Sequence, residues 1–111
     1  MKKIFFSFLL IFPITAYSQS MYSEIKSKID YMIYQDSKSW KASKYKGGLT
    51  LLEAKEKSNH YLCSGTFKYK VWGVGTIHYQ AIVKVVLDEI VVKKIWWTQP
   101  YTNVTYTIGG D

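Results

Sequence analysis

The sequence predicts an α+β domain in which one N-terminal amphipathic helix packs on a four- to five-stranded antiparallel meander. Two observations predict this architecture. Between residues 22 and 33, apolar side chains recur every three or four positions, which is the spacing of one helical face. After residue 48 the spacing changes to two, the period of strands that bury one face. A single helix followed only by such strands is typical of a two-layer fold.

The composition excludes several classes of protein. The 111-residue chain has 15 basic residues, all of them lysine, against 8 acidic residues, for a formal net charge of +7. With 48% hydrophobic and 17% aromatic residues it is too apolar to be disordered. One cysteine excludes a disulfide scaffold or a cysteine-built zinc site, and the length is that of one domain.

The first 18 residues have the order of a secretory signal peptide. A Met-Lys-Lys start precedes an apolar run over residues 4–14, and Ala16 and Ser18 supply small residues for cleavage after Ser18. The run is shorter than a membrane-spanning helix requires. We therefore expect a bacterial protein that is secreted or periplasmic, with no transmembrane anchor after cleavage, whose single domain covers residues 19–111.

The predicted helix presents the apolar residues Tyr22, Ile25, Ile29, Met32 and Ile33 on one face, and its pattern ends near residue 36. In the irregular stretch that follows, Trp40 and Tyr45 are predicted to pack as anchors, and Gly47-Gly48 breaks the chain. Residues 49–57 are compatible with a helix by propensity and with a first strand by alternation. We favour the strand, because the segment that follows needs a neighbour.

Two alternating segments, residues 60–72 and 76–87, predict a hairpin with a loop at 73–75. Its apolar face contains Tyr61, Cys63, Phe67, Tyr69 and Val71 in the first strand and Ile77, Tyr79, Ala81, Val83, Val85 and Leu87 in the second. A loop at 73–75 would place Val71 opposite Ile77, Tyr69 opposite Tyr79, and Phe67 opposite Ala81. The same register would place Lys70 opposite His78. We expect the helix to cover the apolar face.

The last two strands are predicted with less detail. Asp88-Glu89 is the expected turn into a strand at residues 90–98, and a short strand follows over residues 104–108. Each face of the 90–98 segment contains one lysine and one tryptophan, so alternation leaves its register open. Either Trp96 or Trp97 then faces away from the helix.

This order of elements resembles the cystatin-like and NTF2-like class of small α+β domains over nearly the whole predicted domain. Residues 69–73 read Tyr-Lys-Val-Trp-Gly, which keeps the Val and the Gly of the cystatin inhibitors' Gln-x-Val-x-Gly hairpin. Trp96 and Trp97 lie near the second hairpin, where those inhibitors have Pro-Trp. The resemblance implies a helix wrapped by a curved sheet, and no inhibitory residue is carried over from it.

No set of residues with a catalytic pattern is present. His60 and His78 lie on the polar parity of their strands, without a carboxylate partner that a general base requires, and two histidines do not complete a metal site. Cys63 has the parity of the apolar face, where a cysteine behaves as a small hydrophobic residue. We therefore predict no catalytic residue, no metal site and no cofactor.

The residues left for function lie on the uncovered face of the sheet. Trp72, one of Trp96 and Trp97, and Lys70 with His78 on the same parity predict a partner-binding surface rich in tryptophan and lysine. The absence of arginine and the expected secretion argue against nucleic acid as the partner. The leading hypothesis is a non-enzymatic module that binds a secreted or envelope protein, of inhibitor or immunity type. An NTF2-like ligand-binding or enzymatic cup and a structural homodimer are the alternatives.

Overall fold

A computed structural model describes residues 15–100 and 102–110, with side chains from Ser20 onward. The predicted signal peptide falls almost entirely outside this part of the chain. The elements are α1 (Thr15–Ser37), β1 (Lys44–Tyr45), β2 (Glu53–Glu56), β3 (Tyr61–Lys70), β4 (Val74–Val86), β5 (Glu89–Thr98) and β6 (Thr105–Gly109). Within the described ranges, no helix has the length and apolarity needed to cross a bilayer.

The predicted α+β class is confirmed: in the part of the chain that the structure describes, one helix packs on a curled antiparallel sheet. The sheet has six strands in the order β1-β3-β4-β5-β6, with β2 also pairing β3. It exceeds the predicted four to five strands because two short segments share one partner. β2 pairs residues 61–64 of the ten-residue β3, and β1 pairs residues 69–70. The strand interpretation of residues 49–57 is thereby confirmed for 53–56.

The helix buries the face that the sequence indicates. Ile25, Ile29 and Ile33, spaced four apart, are almost fully buried against the sheet, with Met21 one turn earlier. Tyr22 belongs to the predicted face but is 40% exposed, because the buried stripe runs through Met21 instead. At the C-terminal end, the hydroxyl of Ser37 donates a hydrogen bond to the Tyr34 carbonyl, satisfying one carbonyl of the last turn.

The β3–β4 hairpin has the predicted faces but a different register. Phe67 pairs with Ile77 and Tyr69 with Gly75, so the turn is centred at Trp72, two residues before the centre of the predicted loop. The predicted pairings of Val71, Tyr69 and Phe67 are therefore wrong. The reason is Gly75, which serves as a strand residue: a Cβ there would lie 2.8 Å from the ring of Tyr69. Since the shift is even, every side chain keeps its face.

The β4–β5 hairpin explains why alternation failed over residues 90–98. Val83 pairs with Val92 but Ile82 pairs with Lys94, so Lys93 is the extra residue of a β-bulge. Before the bulge the even-numbered Ile90 is buried, whereas after it the odd-numbered Ile95 and Trp97 are buried. Lys93 and Lys94 therefore both stay out of the core. In a strand that alternated without interruption, one of these two adjacent side chains would face the core.

The turn of this hairpin lies one residue earlier than predicted. Leu87 and Asp88 both have positive φ, 52° and 67°, as the two central residues of a type I′ turn require. Leu87 was predicted on the apolar face but is 88% exposed at this turn. It is a large exposed apolar side chain at the end of the sheet opposite Trp72.

Candidate functional site

The structure places three of the five predicted partner-binding residues on the face of the sheet away from the helix. Lys70, His78 and Trp96 have side chains on the outer face of the sheet, and Trp72 is at the tip of the β3–β4 hairpin. Trp97 lies on the helix side, 4% exposed, within the core. The sequence left the choice between the two adjacent tryptophans open, and the bulge at Lys93 decides it.

Trp72 is the most exposed large apolar residue described, at 93%. The turn that carries it spans residues 71–73, and its backbone is closed by the Val71 N–H, which donates to the Gly73 carbonyl at 3.3 Å. An indole held in water on a hairpin tip contributes nothing to the core. Such a side chain is typical of residues that bury on contact with a partner.

The centre of the outer face is partly apolar. Trp96 is half-buried between its cross-strand neighbours Gln80 and Thr107, and the Lys94 ammonium lies 5.3 Å from the centre of its ring. This distance permits a cation–π interaction. Beside them, Leu62 and Ile82 face each other across β3 and β4. No second layer of this chain's described residues covers these side chains.

The charges on the outer face are strongly unbalanced. Its lysines, assigned by strand parity, are Lys44, Lys55, Lys68, Lys70, Lys84 and Lys94. Lys55 makes the face's ion pair, at 3.7 Å from Glu53, and both side chains are well exposed. Lys68 and Lys70 lie near no described acid within ion-pair distance; Lys68 instead donates to the Thr76 hydroxyl at 2.8 Å. The face is therefore electropositive.

The two histidines are not part of a shared site. His78 is exposed and lies opposite Thr66, not opposite Lys70 as predicted. His60 contacts its chain neighbour, with Nδ1 2.9 Å from the side-chain oxygen of Asn59. Within the ranges that the structure describes, no three His, Cys, Asp or Glu side chains are grouped so that they could hold a metal ion.

Cys63 lies in the core, as its parity predicted, with no exposed surface. Burial raises the pKa of its thiol to about 12, so the reactive thiolate is scarce at neutral pH. Its cross-strand neighbours are Ala54 and Ala81. It acts as a small apolar side chain in a close-packed layer.

A groove that the sequence did not predict lies on the helix side of the sheet, at the same end as Trp72. It has a volume of about 700 Å³ and is lined by the loop after α1, the β3–β4 hairpin and the β5–β6 connection. The cause is a step in the sheet: β4 begins at Val74, but its pairing with β5 begins only at Tyr79. The projecting hairpin and the shorter neighbouring strand leave an open space between them.

Aromatic rings form the floor of this groove. The Trp97 ring makes edge-on contacts with Trp40 at 6.0 Å and with Phe67 at 5.1 Å, and lies 6.3 Å from Tyr106. The Trp40 indole N–H donates to Asp36 at 2.9 Å, which fixes the ring at the end of α1. The predicted anchoring role of Trp40 is confirmed. The sequence does not predict that Trp40 also lines a groove, because the groove depends on the strand register.

The second predicted anchor, Tyr45, ties β1 to the helix. Its hydroxyl donates a hydrogen bond to the carboxylate of Asp30, and its ring packs on Phe67 at 5.4 Å. Burial raises the pKa of the Tyr45 phenol well above its ordinary value, and the bond to Asp30 adds to the shift. The phenol therefore remains protonated, as a hydrogen-bond donor to a carboxylate must be.

Comparisons with protein-family models, with curated proteins and with solved structures find no match to this chain.

Proposed function

We propose that this protein is a secreted or periplasmic binding module that recognises an acidic protein surface through the outer face of its sheet. The observation that carries the proposal is the combination of Trp72, exposed at the hairpin tip, with Lys68 and Lys70, which lie on the outer face at the adjoining end of β3 and make no ion pair with a described acid. Tryptophan supplies the buried contact area of an interface, and complementary charge supplies orientation and association rate. Lys68 and Lys70 lie at alternate positions at the end of β3, and Trp72 lies in the turn that follows, so a partner that covers this end of the sheet can meet all three.

Charge reversal on this face is expected to weaken binding to an acidic polypeptide. The change is Lys68→Glu with Lys70→Glu, and the probe is poly-L-glutamate, measured by biolayer interferometry at several salt concentrations. We expect about a tenfold or greater loss of affinity at low salt, shrinking as salt screens the charges. The matched control is Lys26→Glu in the helix with Lys38→Glu in the turn that follows it, which changes the net charge equally.

Equal weakening by both pairs would contradict the proposal, because attraction would then follow net charge and not the outer face.

A second comparison addresses specificity for a protein partner. Trp72→Ala is expected to remove proteins captured from secreted and envelope fractions of the source cells, whereas Leu87→Ala, at the opposite hairpin tip, is expected to retain them. An unchanged set of captured proteins with Trp72→Ala would count against the hairpin tip as the contact.

The aromatic groove favours a second candidate function, the binding of a small neutral ligand. Ligand sites are concave and mostly apolar, with a few polar groups at the rim. Here the floor is Trp40, Trp97 and Ile77, and the charged residues of the lining are one acid and one base, Asp36 and Lys41. A ligand with an apolar face and no net charge is the chemical match.

Filling the mouth of the groove tests this second candidate. The neutral dye N-phenyl-1-naphthylamine is expected to gain fluorescence with the unaltered protein, and Ala42→Trp is expected to abolish the gain because Ala42 lines the groove. Ala54→Trp places the same side chain on the exposed strand β2, outside the groove. Equal dye binding by all three proteins would exclude the groove as the site.

A further inference from the structure

The two edges of the sheet differ in how they are protected. On one side, β2 runs Glu-Ala-Lys-Glu, and charged side chains discourage another strand from pairing there. On the other side, β5 is the only described strand that pairs with β6. No charged residue occurs anywhere from residue 99 to residue 110, in a chain that carries 15 lysines elsewhere. The β6 edge therefore lacks the usual protection.

The hydrogen-bond pattern shows which backbone groups this edge offers. The Gln99 N–H donates to the Val104 carbonyl at 2.9 Å, and the Gly110 N–H donates to the Lys93 carbonyl at 3.0 Å. In an antiparallel ladder the groups that face the partner alternate, so even-numbered residues of β6 face β5. Thr105 and Thr107 consequently direct their N–H and C=O groups to the open edge, where no described strand lies.

The side chains along this edge are symmetric about Tyr106. Residues 104–108 read Val-Thr-Tyr-Thr-Ile, so each position matches in class the position equally far on the other side of Tyr106. The segment ends on both sides at a residue with positive φ, Asn103 at 58° and Gly109 at 80°. Extended geometry is thus confined to the symmetric stretch. A symmetric order of side chains places like residues opposite each other when the strand pairs antiparallel with a copy of itself, but not when it pairs with an unrelated segment.

We propose that two copies of this chain pair antiparallel through β6, with a two-fold axis at Tyr106. In this register Tyr106 faces Tyr106 of the second copy, Val104 faces its Ile108, and Thr105 faces its Thr107. Aromatic pairs, β-branched apolar pairs and Thr–Thr pairs are all favourable across antiparallel strands. Thr105 and Thr107 of the two copies then exchange four backbone hydrogen bonds, which satisfies every group that they direct to the edge.

The exposure of β6 and the charge of the chain both agree with a second copy as the partner of this edge. Tyr106 and Val104 are 46% and 47% exposed, so apolar surface that the isolated chain leaves in water is covered by pairing. Two copies that are each strongly positive repel one another, and the neutral β6 edge is the approach with the least repulsion. The product is one continuous sheet that joins the outer faces of both copies.

Cysteine cross-linking tests the register. Tyr106→Cys is expected to form an intermolecular disulfide under mild oxidation, because the two Cα atoms would face each other in a pair without hydrogen bonds, about 4.5 Å apart. Thr105→Cys is the matched control: its copies are offset by two residues, about 7 Å along the strand, beyond disulfide reach. Cys63 stays buried and unreactive in both variants. Equal cross-linking of the two variants, or none with Tyr106→Cys, would overturn the proposed register.

Sedimentation across a concentration series tests the association itself. The unaltered protein is expected to dimerise, and Thr107→Pro is expected to weaken the dimer at least tenfold, since proline removes a donor at the open edge. Ala54→Pro makes the same change on the opposite edge and is expected to leave the dimer intact. A protein that remains monomeric at millimolar concentration would overturn the proposal. Circular dichroism establishes that each variant is folded, and the cross-linking result stands independently if Thr107→Pro is not.

Discussion

Trp97→Ala is expected to lower the free energy of unfolding by about 3–5 kcal/mol, a large part of what a domain of this size has. Trp97 is buried and its ring contacts three other aromatic rings, those of Trp40, Phe67 and Tyr106. Removing the indole leaves a cavity that the rigid strands on either side cannot close. Urea denaturation followed by far-UV circular dichroism measures the change.

The adjacent Trp96 is the control for this prediction. It lies on the outer face, half-buried, with Lys94 stacked on its ring. Trp96→Ala is expected to cost less than about 1 kcal/mol, because it removes a surface contact and a weak cation–π interaction. Equal losses, or a larger loss with Trp96→Ala, would contradict the β-bulge at Lys93, since the bulge decides which of these two adjacent side chains faces the core.

Gly65→Ala is expected to destabilise the protein by about 3 kcal/mol or more. Gly65 lies in the middle of β3, where a Cβ would be 2.0 Å from the Thr50 carbonyl oxygen and 2.8 Å from the Tyr79 hydroxyl. That hydroxyl donates to the same carbonyl at 2.7 Å, so the methyl group would displace both partners of a part-buried hydrogen bond. The segment before β2 would have to move away from the sheet.

Gly73→Ala is the matched control, because a Cβ at the hairpin tip meets no atom within 4 Å. It is expected to leave the denaturation midpoint nearly unchanged. Thermal unfolding of both variants separates the two effects. If Gly65→Ala unfolded at the temperature of the unaltered protein, the close approach of Thr50 to β3 would be wrong.

The hairpin shows how far alternation carries a prediction. The faces of Phe67, Tyr69, Ile77 and Tyr79 follow from period two alone, and all four are buried as predicted. Their partners do not follow from it, because a shift of register by an even number of residues preserves every face. The choice was made by the packing of the Tyr69 ring over Gly75, a contact between strands that a local pattern does not contain.

The candidate site divides in the same way. The outer positions of Lys70 and His78 were predictable, since each depends on parity within one strand, whereas Trp72 lies in the turn beyond β3. The groove whose floor includes Trp97 was not, because it is formed by the unequal lengths of β4 and β5 and by a loop from a distant part of the chain. Trp40 signals its importance in the sequence only as an aromatic residue in an irregular stretch.

By itself, the sequence determined the α+β class, the helix face, the buried faces of the long strands and the excess of lysine over acid. These properties depend on the order of side chains along the chain and on the repeat of each backbone geometry. Only the tertiary structure decided the hairpin register, which of Trp96 and Trp97 faces the core, and the groove. Each of these depends on how one strand packs against another, where a single bulged residue or a glycine under an aromatic ring has an energy that no periodicity records.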